Sequence, residues 1–221
     1  MRLHIFDVDF TIVRCSTVRE FLFRGLRTGL VGLSLGFYVP ILFFHYRFSG
    51  SKGKHVEWAY PFLKGVQRGA IEKLAGTVFD ERILPWIDLD VAARIASIQK
   101  AGGEVMIASS SFGILLAPLA RHLGITEMVA SELEFENDIS TGRVAGEPAF
   151  GEGKRSRIMT YLKNRAIKVS DCAFYSDSSH DLPLLRVVGK PVTVNPKRKL
   201  RRIALNEGWE ILDTNQGESR C

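Results

Sequence analysis

An α/β fold, a Rossmann-like three-layer parallel sheet with a helical cap inserted after its first strand, follows from three features of this 221-residue chain. Short apolar runs rich in β-branched or aromatic residues recur along it, helical patterns separate most of them, and three of the runs end in small polar or acidic residues. Strands that alternate with helices pair in parallel and are covered on both faces.

The runs are Leu3 to Phe6, Val105 to Ala108, Ala173 to Tyr175 and Val192 to Val194, each too short for a helix. A helical stripe over Val91 to Lys100 stops at Gly102-Gly103, and a second, Gly113 to Leu123, stops at Gly124. A third runs from about Lys154 to Lys163, and a fourth from near Asp181, with Pro183 in its first turn, to Gly189. The residues between Glu132 and Gly146 read as a hairpin with turn chemistry in its middle.

No comparable strand pattern occupies the stretch between the first strand and the helix at Val91. Residues 12–88 are therefore expected to form a helical cap, and residues 1–11 with 89–221 the catalytic core.

An apolar content of 46% is enough for a core and excludes a disordered or fibrous chain. The net charge of +6 is spread along the sequence. Its densest run, Lys197 to Arg202, is interleaved with Leu200 and continues into Ile203 and Ala204 at helical spacing, without aromatic residues. That is a solvated helix face rather than a nucleic-acid patch.

Three cysteines, Cys15, Cys172 and Cys221, have no metal-ligand spacing and leave one unpaired in any disulfide scheme. Together with the lack of an apolar signal at Met1, they point to a reducing, cytoplasmic setting.

In an open parallel sheet, ligands sit beyond the carboxyl ends of the strands. Asp7 and Asp9 with Thr11, then Ser109 and Ser110, then Asp177 and Asp181, follow three of the expected strands. Carboxylates converging there repel one another unless a cation sits among them, and hard oxygen ligands favour Mg2+.

A phosphate ester needs the same cation if a carboxylate is to approach it, and Lys154 offers a second positive charge. Amides after Ser109, upstream of a helix start, suit phosphate oxygens. Of the two aspartates on the first strand end, one would attack phosphorus and the other handle protons; burial would raise Asp9 from a pKa of about 3.9 so that it can carry one.

Taken together, Asp7-x-Asp9-x-Thr11, Ser109, Lys154, and Asp177 followed by Asp181 resemble the four motifs of haloacid dehalogenase-like phosphatases. Phe150-Gly-Glu-Gly-Lys154, the run from Tyr175 to Leu185 and Val192-Thr-Val-Asn-Pro196 resemble the phosphoserine-phosphatase-like subclass, whose helical cap follows the first motif.

The resemblance implies a phosphomonoester hydrolase acting on a small-molecule substrate. Asp7 would be the nucleophile forming an aspartyl-phosphate, Asp9 the general acid/base, and Ser109, Ser110 and Lys154 the phosphate ligands. Magnesium would be held by Asp7, the Asp9 carbonyl and Asp177, with Asp181 in support.

True phosphoserine phosphatases carry a glutamate nine residues past the nucleophile for the substrate's ammonium, where this chain has Ser16. Without that carboxylate, phosphoserine loses its natural partner.

Residues 28–44 carry no charge, include Pro40, and are flanked by Arg24 and Arg27 before and Arg47, Lys52 and Lys54 after. They are expected to pack as a pair of cap helices. The alternative is a membrane-docking element that brings the site to a lipid phosphate, since a phosphatidylglycerophosphatase type is similar in placing an apolar segment here. Two further readings remain open: phosphoryl transfer to another metabolite through the same intermediate, and a non-catalytic binding module of the same fold.

Overall fold

The computed structural model describes residues 1–32 and 60–214. Most of the apolar run 28–44, and with it the choice between cap helices and membrane docking, lies outside the described residues. Among the described residues no helix is long and apolar enough to cross a membrane.

Six strands form one parallel sheet: β1 (Leu3–Phe6), β2 (Glu104–Phe112), β3 (Glu127–Ser131), β6 (Cys172–Ser176), β7 (Lys190–Val194) and β8 (Glu210–Leu212), in the order β3-β2-β1-β6-β7-β8. All four expected strands are present. β3 and β8, at the two edges, were not expected; a strand of three half-buried residues such as β8 has too short a pattern to read.

β1 lies centrally, with Phe6 opposite both Ile107 of β2 and Tyr175 of β6. The chain leaves it in opposite directions, so the switch point of the sheet lies at the carboxyl end of β1.

Alternation along the strands makes two cores. Phe6, Ile107, Ala173 and Tyr175 face one side, and Leu3, Ile5, Met106 and Phe174 the other. Against the first side pack α1 (Thr17–Arg27), α3 (Leu89–Lys100) and α4 (Gly113–His122), through Phe21, Val91 and Leu116, while α2 (Arg68–Val78) joins the same core through Ile71 by packing on α1 and α4. Against the second packs α5 (Glu152–Asn164), through Ile158 and Leu162, joined by Leu184 of the short α6 (Leu182–Leu185) and Leu200 of α7 (Arg198–Glu207).

The element expected from Asp181 to Gly189 is a 3-10 turn, Ser179–Asp181, followed by α6 alone. Gly189 explains the stop: a Cβ there would lie 1.8 Å from the Ser170 carbonyl oxygen, so backbone crosses backbone. The basic run falls on α7 as expected, with Leu200 and Ala204 buried and Lys197, Arg198 and Lys199 exposed.

The hairpin is β4 (Leu133–Glu136) and β5 (Ile139–Val144), with Asn137 and Asp138 at φ 50° and 62° in its turn. It bonds to the main chain of residues 60–68, through Tyr60 N to Gly142 O and Ser140 N to Val66 O. The two ends of the inserted stretch also meet: Val13 bridges to Ile87, and Asp88 N donates to Ile12 O.

Candidate active site

Asp7 follows β1 directly, its amide held by Tyr175 O at 2.9 Å, and its side chain is buried. Phe10 then turns the chain through the left-handed region, at φ 61°. Thr11, also buried, accepts from the Asp177 amide at 3.0 Å through its hydroxyl, and so ties the loop after β1 to the loop after β6. Sequence reading had placed Thr11 in the motif without this task.

Lys154 arrives from the other side of the sheet. Gly151, at φ 54°, starts the turn into α5, and Gly153 lets that turn lie against the preceding loop, since a Cβ there would sit 2.3 Å from Pro148 O. One turn into the helix, Lys154 is 3% exposed. Its Nζ stands 3.0 Å from Asp7 and 2.8 Å from Asp181, which also accepts from Ser176 Oγ at 2.7 Å.

Burial pushes the Asp7 carboxyl up to about 8; Lys154 opposes this, and Asp181 and Asp177 add to it. Burial by itself would lower the Lys154 ammonium, but Asp181 and Asp7 outweigh it and hold it above its ordinary range. The ammonium is therefore shared between two buried carboxylates, Asp7 and Asp181, and Asp177 is near enough to raise Asp7 further.

Asp9 is half-buried in the loop after β1. Its Oδ1 accepts from Thr17 N at 3.2 Å and Thr17 Oγ1 at 2.7 Å. Burial raises its carboxyl, and hydrogen bonds from Thr17 and Ser16 oppose the rise. The direction is the one expected from the sequence, and the cause is loss of water. Ser16, where a glutamate would stand in a phosphoserine phosphatase, thus faces Asp9, and a carboxylate in its place would repel it.

Ser109 is buried within β2, where the pairing with β3 shifts register, and its hydroxyl accepts from the Ser111 amide at 3.2 Å. Ser110 is exposed. Ser111, in the polar strand end the sequence marks, is buried and bonded to Thr17 Oγ1 at 2.8 Å, and Thr17 joins the site without a sequence signal of its own. Nothing in the local pattern marks a pair 94 positions apart.

The rim carries His180 against Phe150, with ring centroids 5.0 Å apart, and Lys197 Nζ 5.5 Å from the centre of the Phe10 ring. Among the described residues no group of three His, Cys, Asp or Glu side chains is drawn together as for a metal held by side chains alone. A set of two side-chain carboxylates plus a main-chain carbonyl is compatible with that.

Known proteins carry the same plan. A histidinol-phosphatase from Neisseria meningitidis serogroup C is 36% identical over 137 residues, 60% of this chain and 62% of that protein, so the match spans about three fifths of the relative's length. A solved structure of a protein of unknown function from Bordetella pertussis Tohama I superposes with a TM-score of 0.85 at 27% identity, over 96% of this chain and 98% of that one.

A phosphoserine phosphatase in its apo form shares the fold at a TM-score of 0.65 and 20% identity, over 96% and 92% of the two chains. Residues 5–186 match the family model of haloacid dehalogenase-like hydrolases. The site, the sheet and this match agree, and the chain belongs to the haloacid dehalogenase-like hydrolase family.

Proposed function

We propose that the chain is a magnesium-dependent phosphomonoesterase working through an aspartyl-phosphate. The observation that carries this is Asp7 at the end of the central strand, buried, touched by Lys154 and within reach of the charges of Asp181 and Asp177. Its carboxylate would attack phosphorus as the bond to the leaving oxygen breaks, with Asp9 giving that oxygen a proton; Asp9 would then take a proton from the water that cleaves the acyl phosphate. Ser109, Ser110 and Lys154 would hold the phosphoryl oxygens.

Asp7, the Asp9 carbonyl and Asp177 would hold magnesium, with Asp181 supporting through Lys154; when bound, it supplies the charge that lets an anionic nucleophile meet an anionic ester. The raised Asp7 carboxyl fits such an ion. Residues 12–88 would cover the site as a cap, and the buried cysteines Cys15 and Cys172, not joined in a disulfide, suit a reducing cytoplasm.

The substrate is a small phosphomonoester in which recognition does not depend on an ammonium group. Ser16 offers no carboxylate, and Glu20, one turn further along α1, is engaged by Arg19 at 3.0 Å and Arg82 at 3.0 Å. Relatives named histidinol-phosphatase and phosphoserine phosphatase support a phosphorylated metabolic alcohol as the substrate class.

The test is hydrolysis of 4-nitrophenyl phosphate with and without magnesium, followed by a panel of phosphoserine, histidinol phosphate and a lipid phosphate. Asp7→Asn is expected to abolish turnover while leaving the fold intact, and undiminished turnover in that variant would falsify the mechanism. Phosphoserine turned over far better than every other ester would remove the substrate reading.

A further inference from the structure

Asp9 is held unevenly. Its Oδ1 takes two donors from Thr17, one of them a hydroxyl at 2.7 Å. Ser16 also donates to this carboxylate, and the Ser111 hydroxyl stands 3.5 Å from Oδ2, well outside the 2.5–3.0 Å of an O–H···O bond.

Counting protons removes even that contact. Each hydroxyl has a single proton. If Thr17 gives its own to Oδ1, then the 2.8 Å contact between Thr17 Oγ1 and Ser111 Oγ requires Ser111 to donate, and the Ser111 proton is spent. The bonds therefore run one way, from Ser111 to Thr17 to Oδ1, and Oδ2 has neither Thr17 nor Ser111 as a donor.

Both hydroxyls are buried, so water cannot take over either bond. Thr17 opens α1 in the inserted stretch, and Ser111 ends β2 in the sheet. The Ser111 amide meanwhile donates to Ser109 Oγ at 3.2 Å, which leaves the Ser109 proton free to turn toward another acceptor.

We propose that the Thr17 and Ser111 hydroxyls form a positioning relay that fixes the Asp9 carboxylate through Oδ1 and aims Oδ2 at the leaving-group oxygen. This rests on Asp9 being the acid–base group of the proposed reaction. Neither hydroxyl touches substrate. Because the relay joins the first helix of the insertion to the sheet, Asp9 is aligned only while α1 stays docked on β2.

The test compares two esters on the full-length protein with magnesium. A nitrophenyl ester expels a phenolate that needs no proton, whereas an alkyl ester expels an alkoxide that must receive one. General acid catalysis contributes roughly 10²-fold or more where it is needed.

Thr17→Val, which keeps the shape and removes the hydroxyl, is expected to lower kcat/KM for the alkyl ester by about 100-fold and for the nitrophenyl ester by less than about threefold. Thr17→Ser should restore the alkyl ester, and Ser111→Ala should show the same selectivity to a smaller degree. A merely structural role would lower both esters together; equal losses, or an unchanged alkyl ester, overturn the relay.

Asp9→Asn is measured alongside. If it lacks the selectivity, the catalytic reading has failed and the relay falls with it. If Asp9→Asn is selective and both Thr17→Val and Ser111→Ala are not, the relay alone is wrong. The thermal midpoint of each variant guards against loss of fold, and because Ser111→Ala deletes one buried oxygen, it provides a second variant if Thr17→Val unfolds.

Discussion

Lys154 Nζ stands 3.0 Å from Asp7 across 147 positions of sequence, and both groups are buried. Removing one member of such a pair costs more than the pair itself stabilises, because the survivor is left as an uncompensated charge. Lys154→Met is therefore expected to lose both turnover and stability, the latter by about 3 kcal/mol in urea unfolding. Asp7→Asn, which leaves Lys154 its pair with Asp181, should lose turnover alone. Equal stability for Lys154→Met and the wild type would contradict this account.

Gly153 sets where Lys154 points. A Cβ there meets Pro148 O at 2.3 Å, and main-chain oxygen cannot swing aside as a side chain can. Gly153→Ala is expected to cost about 2 kcal/mol by overpacking and to reduce turnover by moving the ammonium. Urea unfolding of the variant with its turnover checks both effects; a neutral substitution would show that the loop gives way.

Glu20 supplies a pH dependence. Burial acting alone would raise its carboxyl, but hydrogen bonds from Arg82 and Arg19 outweigh it and hold it below the ordinary 4.5. The folded state then binds fewer protons than the unfolded one, so this contribution is complete above about 4.5 and disappears as pH falls through the lower folded value. Glu20→Gln should flatten the acid limb of a plot of thermal midpoint against pH. An acid limb as steep as that of the wild type would show that Glu20 is not its source.

Asp88 joins three parts of the chain. Buried, it caps α3 by accepting from Asp90 N at 3.1 Å and Val91 N at 3.3 Å, and it accepts from Thr214 Oγ1 at 2.6 Å. Asp88→Ala should cost about 3 kcal/mol, a lost helix cap plus the Thr214 bond, and Thr214→Val about 2 kcal/mol, because its hydroxyl also accepts from Asn195 Nδ2 at 3.0 Å. Thermal unfolding of both variants orders them; the reverse order would mean that the Asn195 bond outweighs the cap.

Much of this molecule is written locally. β1, the helix Leu89–Lys100 and the hairpin turn at Asn137 and Asp138 appear in the structure because period, stop residues and turn chemistry act over a few positions. Asp7, Asp9, Ser109, Asp177 and Asp181, after apolar strands, and Lys154, opening a helix, could be picked out by their joint order along the chain rather than by any one of them alone.

Tertiary structure alone decided what those groups do to one another. That Lys154 is divided between Asp7 and Asp181, that Thr11 anchors Asp177, and that Thr17 and Ser111 hold one oxygen of Asp9 are relations between residues far apart in the chain. The edge strand β8 forms because β7 offers it hydrogen bonds, its own three residues being too few to declare it. The sequence determined which groups stand at the strand ends; charge balance and proton count depend on distances of about 3 Å, and those exist only once the sheet has brought its loops together.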